Sequence, residues 1–514
     1  MKAHVKIVII LLLGGLLVMA GVKIFLLQSQ EDRQLQTTDA KNTKGTIRLA
    51  RDSWVGYFPL CSPEMNARLR RQGYLLECVD DQADYQDRFK RLSKGEYTFI
   101  VATVDSYVQN GAAVNYPGPI ISVIDESKGG DAIVARQSKV AGIEDLRTAN
   151  GVRVAFTPNS PSEHLLRAIR SHFDLTALNQ STSWKMPTNG SGEALDALLK
   201  GQADVAVVWE PEVTRALSND GIVRLLGTED TQKLIVDVLV ANATVLRKDP
   251  EMVSVFLKAY YQTLQHYRRN QDELVKALRD EYGLDAKQSK ELLSGVEWKS
   301  LTENAEDWFG VGRRNAGREY LVDTIESAVG ILLDDKVFSR NPIPNNDPYR
   351  LLTSAPIKEL YDTLATGEFA GESSSAEKAR FRALAASEWE RLREFGALKV
   401  RPIIFASGTS ELTLEGKREV DLLMENLQHY PNFRVEIRGH TGVRGDAEAN
   451  KRLSLDRAEA VYRYIEVTYE IDPNRFRFVG FGGEKPLPQL PNESLRAYNY
   501  RLPRVEIVLV SGEI

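Results

Sequence analysis

Cysteine is nearly absent from this chain. Its 514 residues include two, Cys61 and Cys78, with no C-x-x-C pair and no His/Cys cluster, which excludes a structural zinc site. In an oxidising compartment the two pair as a disulfide; in a reducing one they are small buried residues. Histidine is also sparse, at six, and His164 and His172 fall inside a helical pattern. No Ser-His-Asp spacing, phosphate-cradling loop or metal motif occurs, so nothing sets up a nucleophile, a general base or a cofactor site. A binding protein is expected, not an enzyme, with no metal and no cofactor. No basic run stands out and the net charge is −5, which argues against a nucleic-acid partner. Internal repeats and long heptads are missing too.

The apolar and charged fractions, 43% and 27%, are those of ordinary globular protein. The length allows two or three domains. Lys2, His4 and Lys6 precede an apolar run over 7–27 broken only by Lys23. About 20 apolar residues cross a bilayer, and the basic end stays in the cytoplasm. Residues 1–28 read as a signal anchor, or as a signal peptide cut after Val18-Met19-Ala20. Apolar residues continue past Lys23, which favours the anchor, a transmembrane helix in the inner membrane. No Cys ends the run, so a lipoprotein anchor is excluded. Either way the rest is exported. Residues 29–44 form a polar, flexible spacer.

From residue 45 short strands alternate with helices. Strands are expected at 46–50, 74–79 and 97–103, and helices at 63–72 and 84–95, the first opening after Ser62 with Pro63 at its first position. That rhythm predicts an α/β fold with mostly parallel sheets. Ligands in such sheets bind where strands end at their carboxyl side. Trp54 and Tyr57 follow the first strand and Asp105 the third. Ser127 precedes a strand at 132–135, Thr157 and Ser160 follow one at 152–156, and Trp209 and Glu210 follow one at 204–208. The aromatic residues offer flat apolar walls. Ser127, Thr157 and Ser160 offer hydroxyls, while Asp105 and Glu210 offer negative charge suited to an amine or other cation. Ser160-Pro161-Ser162-Glu163 also reads as a capping box, in which Ser160 only caps its own helix. Trp54 and Trp209 read equally well as core.

The ordered pieces WVGY, GGDAIVAR, IEDL, GVRVAF and ALDALLKGQADVAVVWEP, spread over 45–355, resemble the type II periplasmic solute-binding proteins of ABC importers, in the nitrate/sulfonate/taurine branch. The resemblance implies two α/β lobes closing on a small solute. It places crossovers near 131–136 and 234–241, a second lobe at about 137–233, and a helical return to the first lobe over 252–333.

The stretch FRVEIRGHTGVRGDAEANKRLSLDRA, 433–458, reads as a strand, a tight polar loop and a helix start. At 100° per residue Leu453, Arg457, Ala460, Val461, Tyr464 and Ile465 share one stripe. Arg457 is a charge within that stripe. Unpartnered and buried it costs several kcal/mol, so it either snorkels outward, pairs internally, or binds a carboxylate together with Asn450 and Ser454. Residues 400–510 resemble the OmpA-like C-terminal domain, an α+β unit. The resemblance rests on Gly439-His440-Thr441, Gly445, Asn450, Leu453-Ser454, Arg457-Ala458, Gly480-Phe481-Gly482 and Arg504-Val505-Glu506-Ile507. It implies non-covalent binding to peptidoglycan through the diaminopimelate of the stem peptide. Arg457 would take the ligand carboxylate, with Asn450, Ser454 and Thr441 around it. The family's Asp for the ligand ammonium is replaced by Gly442; Asp446 is the candidate substitute. The family's Asn-Arg-Arg run is also altered, to 499–504 NYRLPR.

Residues 356–399 are expected to be a helical connector, with a helix over 376–395 stopped by Gly396 and forming an arm of roughly 30 Å. The domain plan is therefore 1–28, 29–44, 45–355, 356–399 and 400–514. The expected protein is periplasmic and probes the envelope from three directions: membrane, small-molecule solute and peptidoglycan. It senses or captures a ligand. The alternatives are a binding component that feeds an ABC permease, and a structural scaffold with an empty cleft.

Overall fold

The computed structural model describes residues 43–148, 151–173, 175, 178–179, 182–312, 319–364, 381–469, 471–490 and 492–512. The expected signal anchor or signal peptide, 1–28, and all but the last two residues of the expected spacer, 29–44, lie outside the described residues. Among the described residues no helix is long and apolar enough to cross a membrane.

Strands β1 (Gly45–Arg51), β2 (Tyr74–Asp80), β3 (Phe99–Thr103) and β4 (Ile120–Ser127) come first. β5 (Asp131–Arg136), β6 (Val154–Phe156), β7 (Lys185–Pro187), β8 (Val205–Trp209) and β9 (Ile222–Gly227) follow, then β10 (Val236–Ala241) and β11 (Val296–Trp298). One six-stranded sheet has the order β11-β4-β10-β3-β1-β2, and a five-stranded sheet the order β7-β6-β8-β5-β9. The chain leaves the first sheet between β4 and β5 and returns between β9 and β10, so two crossings join two α/β layers. β3 (FIVAT) is buried along its whole length, as a strand covered on both faces must be, and an unbroken apolar run is its sequence signature. β4 is also buried throughout, yet it ends in Asp125, Glu126 and Ser127. The sheet thereby carries carboxylates to its own end, where the two layers meet.

Ser62 accepts the amide of Met65 at 3.2 Å and caps the helix Pro63–Arg71. Cys61, just before it, forms a disulfide with Cys78 of β2. The helix Pro250–Arg269 packs on this helix, which places the long helical return against the first sheet.

The third sheet comprises β12 (Arg393–Leu398), β13 (Arg434–His440), β14 (Phe476–Gly480) and β15 (Arg504–Ser511), in the order β12-β15-β13-β14. The helices Leu414–Leu427 and Ala447–Thr468 bury Val420, Leu423, Leu427 and Ala458, Val461, Ile465 in its core. The expected connector helix is corrected here. Of its span, 376–380 lie outside the described residues, only Ala386–Trp389 is helical, and Arg393–Leu398 is a strand paired antiparallel with β15. Phe395 and Leu398 are buried and Trp389 packs on Val508 and Val510, so apolar burial overrides the charged, alanine-rich helical appearance. Gly396 is no helix stop: a Cβ there would meet the Phe173 ring at 3.0 Å.

That contact belongs to an apolar junction between the second layer and the C-terminal unit. Phe173 meets Phe395 and Tyr430 at centroid distances of 5.8 and 5.3 Å. The amide of Lys399 donates to the His172 carbonyl at 2.7 Å. No arm of free helix separates these two units among the described residues.

Candidate functional site

Where the first two layers meet, Asp52, Trp54, Tyr57, Tyr85, Asp131, Trp209 and Asp237, with Pro161 and Ile235, enclose a cavity. About 20 Å³ of it is open to the centre of a water molecule, room for one or two waters. Trp54, Tyr57 and Trp209 thus come together; the first two follow the end of β1 and Trp209 is the last residue of β8. Trp54 is 6% exposed and Tyr57 1%, so they serve as wall and core at once. The Trp54 ring lies against Gly130 in the crossing from β4 to β5, where any Cβ would collide with it.

The polar groups of the cavity are chiefly carboxylates. Asp52 accepts from the Trp54 amide at 3.0 Å, from Tyr85 Oη at 3.2 Å and from Arg88 Nη2 at 3.0 Å. Arg88 is fully buried and also binds Asp81, so this pair is satisfied from within. Asp237 accepts from the Tyr57 hydroxyl and stands opposite Asp125 across the β10–β4 ladder. Trp54 Nε1 donates to Asp125 Oδ1 at 3.2 Å. Burial pushes both Asp125 and Asp237 above the usual carboxylate range; the charge of Asp125 pushes Asp237 further up, whereas hydrogen bonds with Trp54 and Asp237 hold Asp125 down. Burial likewise raises Asp131 to about 7; the Ser127 hydroxyl pulls it down, while Asp105, Glu210 and Asp52 push it further up.

Asp105 is 4% exposed. Its Oδ1 has no donor among the described residues, and His164 Nδ1 lies 3.9 Å from its Oδ2. Burial lowers the His164 pKa, so that imidazole is neutral and gives no ion pair. The remaining expected ligand residues are used locally. Ser127 shares a hydrogen bond with Thr228 at 2.7 Å. Thr157 is buried with its hydroxyl unpaired. Ser160 stands at the N-cap of the helix Pro161–His172 but caps nothing with its side chain. Its hydroxyl donates to the Thr157 carbonyl at 2.7 Å, and Glu163 accepts from Asn159 instead. Glu210 accepts from the hydroxyl and amide of Thr214 at 2.8 and 3.1 Å, so it is spent on the start of the next helix.

Sequence reading missed Asp52, Tyr85, Asp125, Asp131 and Asp237. Asp237 had a signal: one carboxylate inside the apolar run VDVLVA, which burial makes costly unless it has a role. Among the described residues no cluster of His, Cys, Asp and Glu is arranged to hold a metal ion.

In the C-terminal unit, the helix Ala447–Thr468 opens at Asp446, whose carboxylate accepts from the Ala449 amide at 2.7 Å. Asp446 is therefore a helix cap through one of its two carboxylate oxygens. Asn450 Nδ2 donates to the Arg444 carbonyl at 2.9 Å and closes the polar loop. Ser454 is fully buried; it donates to Lys451 O and accepts from the Gly482 amide, both at 2.8 Å. Thr441 is 5% exposed, and its amide donates to Gly482 O at 2.9 Å. These residues fix the loop. The helix buries Ser454, Ala458, Val461 and Ile465, so its apolar stripe is rotated from the expected one and Arg457 lies at its edge, half-buried. Arg457 Nε donates to the Thr409 carbonyl at 3.1 Å, and the guanidinium lies 5.1 Å from the Phe405 ring centre. No carboxylate pairs with it among the described residues, and burial alone lowers its pKa.

Residues 404–499 match the family model described as OmpA family, and residues 81–274 the model described as NMT1/THI5 like. The chain is 32% identical over 100 residues to Outer membrane protein Omp38 of Acinetobacter baumannii, which covers 20% of this chain and spans 28% of that protein's length. It is 31% identical over 138 residues to a peptidoglycan-associated lipoprotein of Pseudomonas putida, covering 26% of this chain and 82% of the lipoprotein. Among solved structures, the periplasmic aliphatic sulphonate binding protein SsuA from Escherichia coli superposes on 58% of this chain and 95% of its own, at 18% identity and a TM-score of 0.43.

Proposed function

The chain belongs, through its C-terminal domain, to the OmpA family, and on that premise we propose that it is an envelope protein that holds a two-lobed solute-binding module against peptidoglycan. The observation that carries this reading is Arg457. Its guanidinium is half-buried over Phe405, with one N–H on the Thr409 carbonyl and no carboxylate of its own. A cation desolvated that far gains most from an anionic partner, and an arginine fork matches a carboxylate in geometry. The stem-peptide carboxylate of peptidoglycan is that partner. The cavity between the first two layers supports the other half of the reading, since enclosed aromatic-walled clefts with a few polar groups are where small ligands bind. In this proposal the protein works in the periplasm, held by residues 1–28 to the inner membrane, and acts by binding without catalysis.

The full-length protein is the right object for a test, because β12 and the junction at Phe173 tie the two units together. Purified peptidoglycan sacculi are sedimented with wild type and with Arg457→Ala. Wild type should pellet, and the variant should bind at least about tenfold more weakly, the size expected for losing hydrogen bonds to a charged group. Wild-type protein that stays in the supernatant would end this reading.

A further inference from the structure

The cleft has an electrostatic sign. Asp131 and Asp237 line the cavity together with Asp52, and Asp105 and Asp125 lie behind that wall. No Lys or Arg makes an ion pair with Asp105, Asp125, Asp131 or Asp237 among the described residues; Arg88 is taken by Asp52 and Asp81. Among the described residues Asp105 Oδ1 is buried without any donor, and Asp131 is 3% exposed, its carboxylate taking the Ser127 hydroxyl. A buried acceptor without a donor destabilises the fold, more so when it is charged. An anionic ligand would add to this imbalance, and among the described residues no Lys or Arg lines the cavity to meet it. A ligand bearing N–H⁺ groups would correct it. The side walls agree, because Trp54, Tyr57, Tyr85 and Trp209 present ring surface to the same space, and a cation is attracted to such faces. The small free volume limits the charged head to one the size of an ammonium group.

We propose that the cavity between the two lobes binds a small protonated amine, whose ammonium donates to Asp131 while its carbon atoms lie between Trp54 and Trp209. This rests on the solute-binding reading above and adds the ligand class. Neither a sulfonate nor a quaternary ammonium supplies N–H donors to the carboxylates.

The test is calorimetric titration of the full-length protein at pH 8 with methylammonium, tetramethylammonium, methanesulfonate and glycerol, on wild type and on Asp131→Asn. Small molecules released by denaturing the purified protein are identified by mass spectrometry alongside. Methylammonium should bind wild type and lose about tenfold or more in affinity on Asp131→Asn, with thermal melting checking that the variant is folded. Trp54→Phe should weaken binding less and keep the selectivity for N–H over quaternary ammonium. Binding of methanesulfonate or glycerol in place of the amine, or equal amine affinity in wild type and Asp131→Asn, overturns the amine assignment and leaves the solute-binding reading standing. Failure of all four probes, with no small molecule released, overturns both.

Discussion

The imidazole of His172, at the end of a second-lobe helix, lies stacked on that of His429 in the C-terminal domain, with ring centres 5.4 Å apart. Both are buried. His172 Nδ1 meets the Tyr430 hydroxyl at 2.8 Å; His429 Nδ1 donates to the Gln232 carbonyl at 2.8 Å, and its Nε2 accepts from Ser327 at 2.9 Å. Ser327 lies on the helix Tyr320–Asp334. One ring from the C-terminal domain thus joins the second lobe to that helix.

Two stacked imidazoles cannot both be charged in an apolar junction. Burial pushes His429 down to about 4, and burial with His429 beside it pushes His172 well below its ordinary value. The unfolded chain takes up these protons near pH 6.5, and the folded one refuses them down to about 4. The stability tied to the neutral rings is therefore fully present above pH 6.5. It is lost as pH falls from there to about 4, by about 3 kcal/mol for His429 alone. Thermal melts of wild type and His429→Gln at pH 7 and pH 5 should show a shallower acid loss in the variant. A wild-type loss no steeper than the variant's would refute the neutral pair.

Asp131 carries the opposite slope. Its carboxyl is held up to about 7 against an unfolded value near 3.8, so the folded state binds the extra proton between those limits and stability falls as pH rises through them. The groups acting on it are Ser127, Asp105, Glu210 and Asp52. Asp131→Asn keeps the shape and removes the charge. Without ligand it should raise the melting temperature at pH 8, by an amount corresponding to up to about 4 kcal/mol, and change little at pH 4. A cavity-wall carboxylate that destabilises the empty protein fits a binding role. Equal melting temperatures at pH 8 would remove that argument.

Cys61 and Cys78 close a loop across 17 positions between a helix start and β2. A cross-link of that span limits the unfolded chain by about 3 kcal/mol in the loop-entropy account. Reducing agent, or the Cys61→Ser/Cys78→Ser pair, should lower the melting temperature of the full chain, with no effect on sacculus sedimentation. An unchanged melt under full reduction would contradict this.

The layered α/β pattern was legible because β1 to β3 alternate with helices that carry their own caps, such as Ser62 and Asp84. The aromatic half of the cleft was legible too, since Trp54 and Tyr57 stand in the loop after β1 and Trp209 at the end of β8. The acidic half was not. Asp125 and Asp237 meet only through antiparallel pairing of β4 with β10, over a hundred residues away, and no local period encodes that register. The segment from Arg393 failed for a related reason: its composition favours helix, and only the edge of β15 and the ring of Phe173 make it a strand. Arg457 was visible as an anomaly in a helix, but its cradle of Phe405 and Thr409 comes from a loop before the preceding helix.

Gly442 sets the final prediction. The family resemblance puts an Asp there, opposite the arginine, to take the ligand's ammonium group. In this chain a Cβ at Gly442 would meet nothing within 4 Å, and its backbone is not in the left-handed region. Asp446 has one carboxylate oxygen engaged in capping the helix through Ala449. Gly442→Asp should therefore fold and bind sacculi more tightly, by roughly fivefold to thirtyfold for one added charge-assisted hydrogen bond. Combined with Arg457→Ala the gain should shrink, because an ammonium contact alone does not orient the ligand and neighbouring groups on one ligand do not act additively. Co-sedimentation of the four proteins gives this cycle directly. Tighter binding by the single variant with the same gain in the double would mean that the two positions grip different parts of the wall; no gain at all would mean that this chain's wall contact does not use the ammonium.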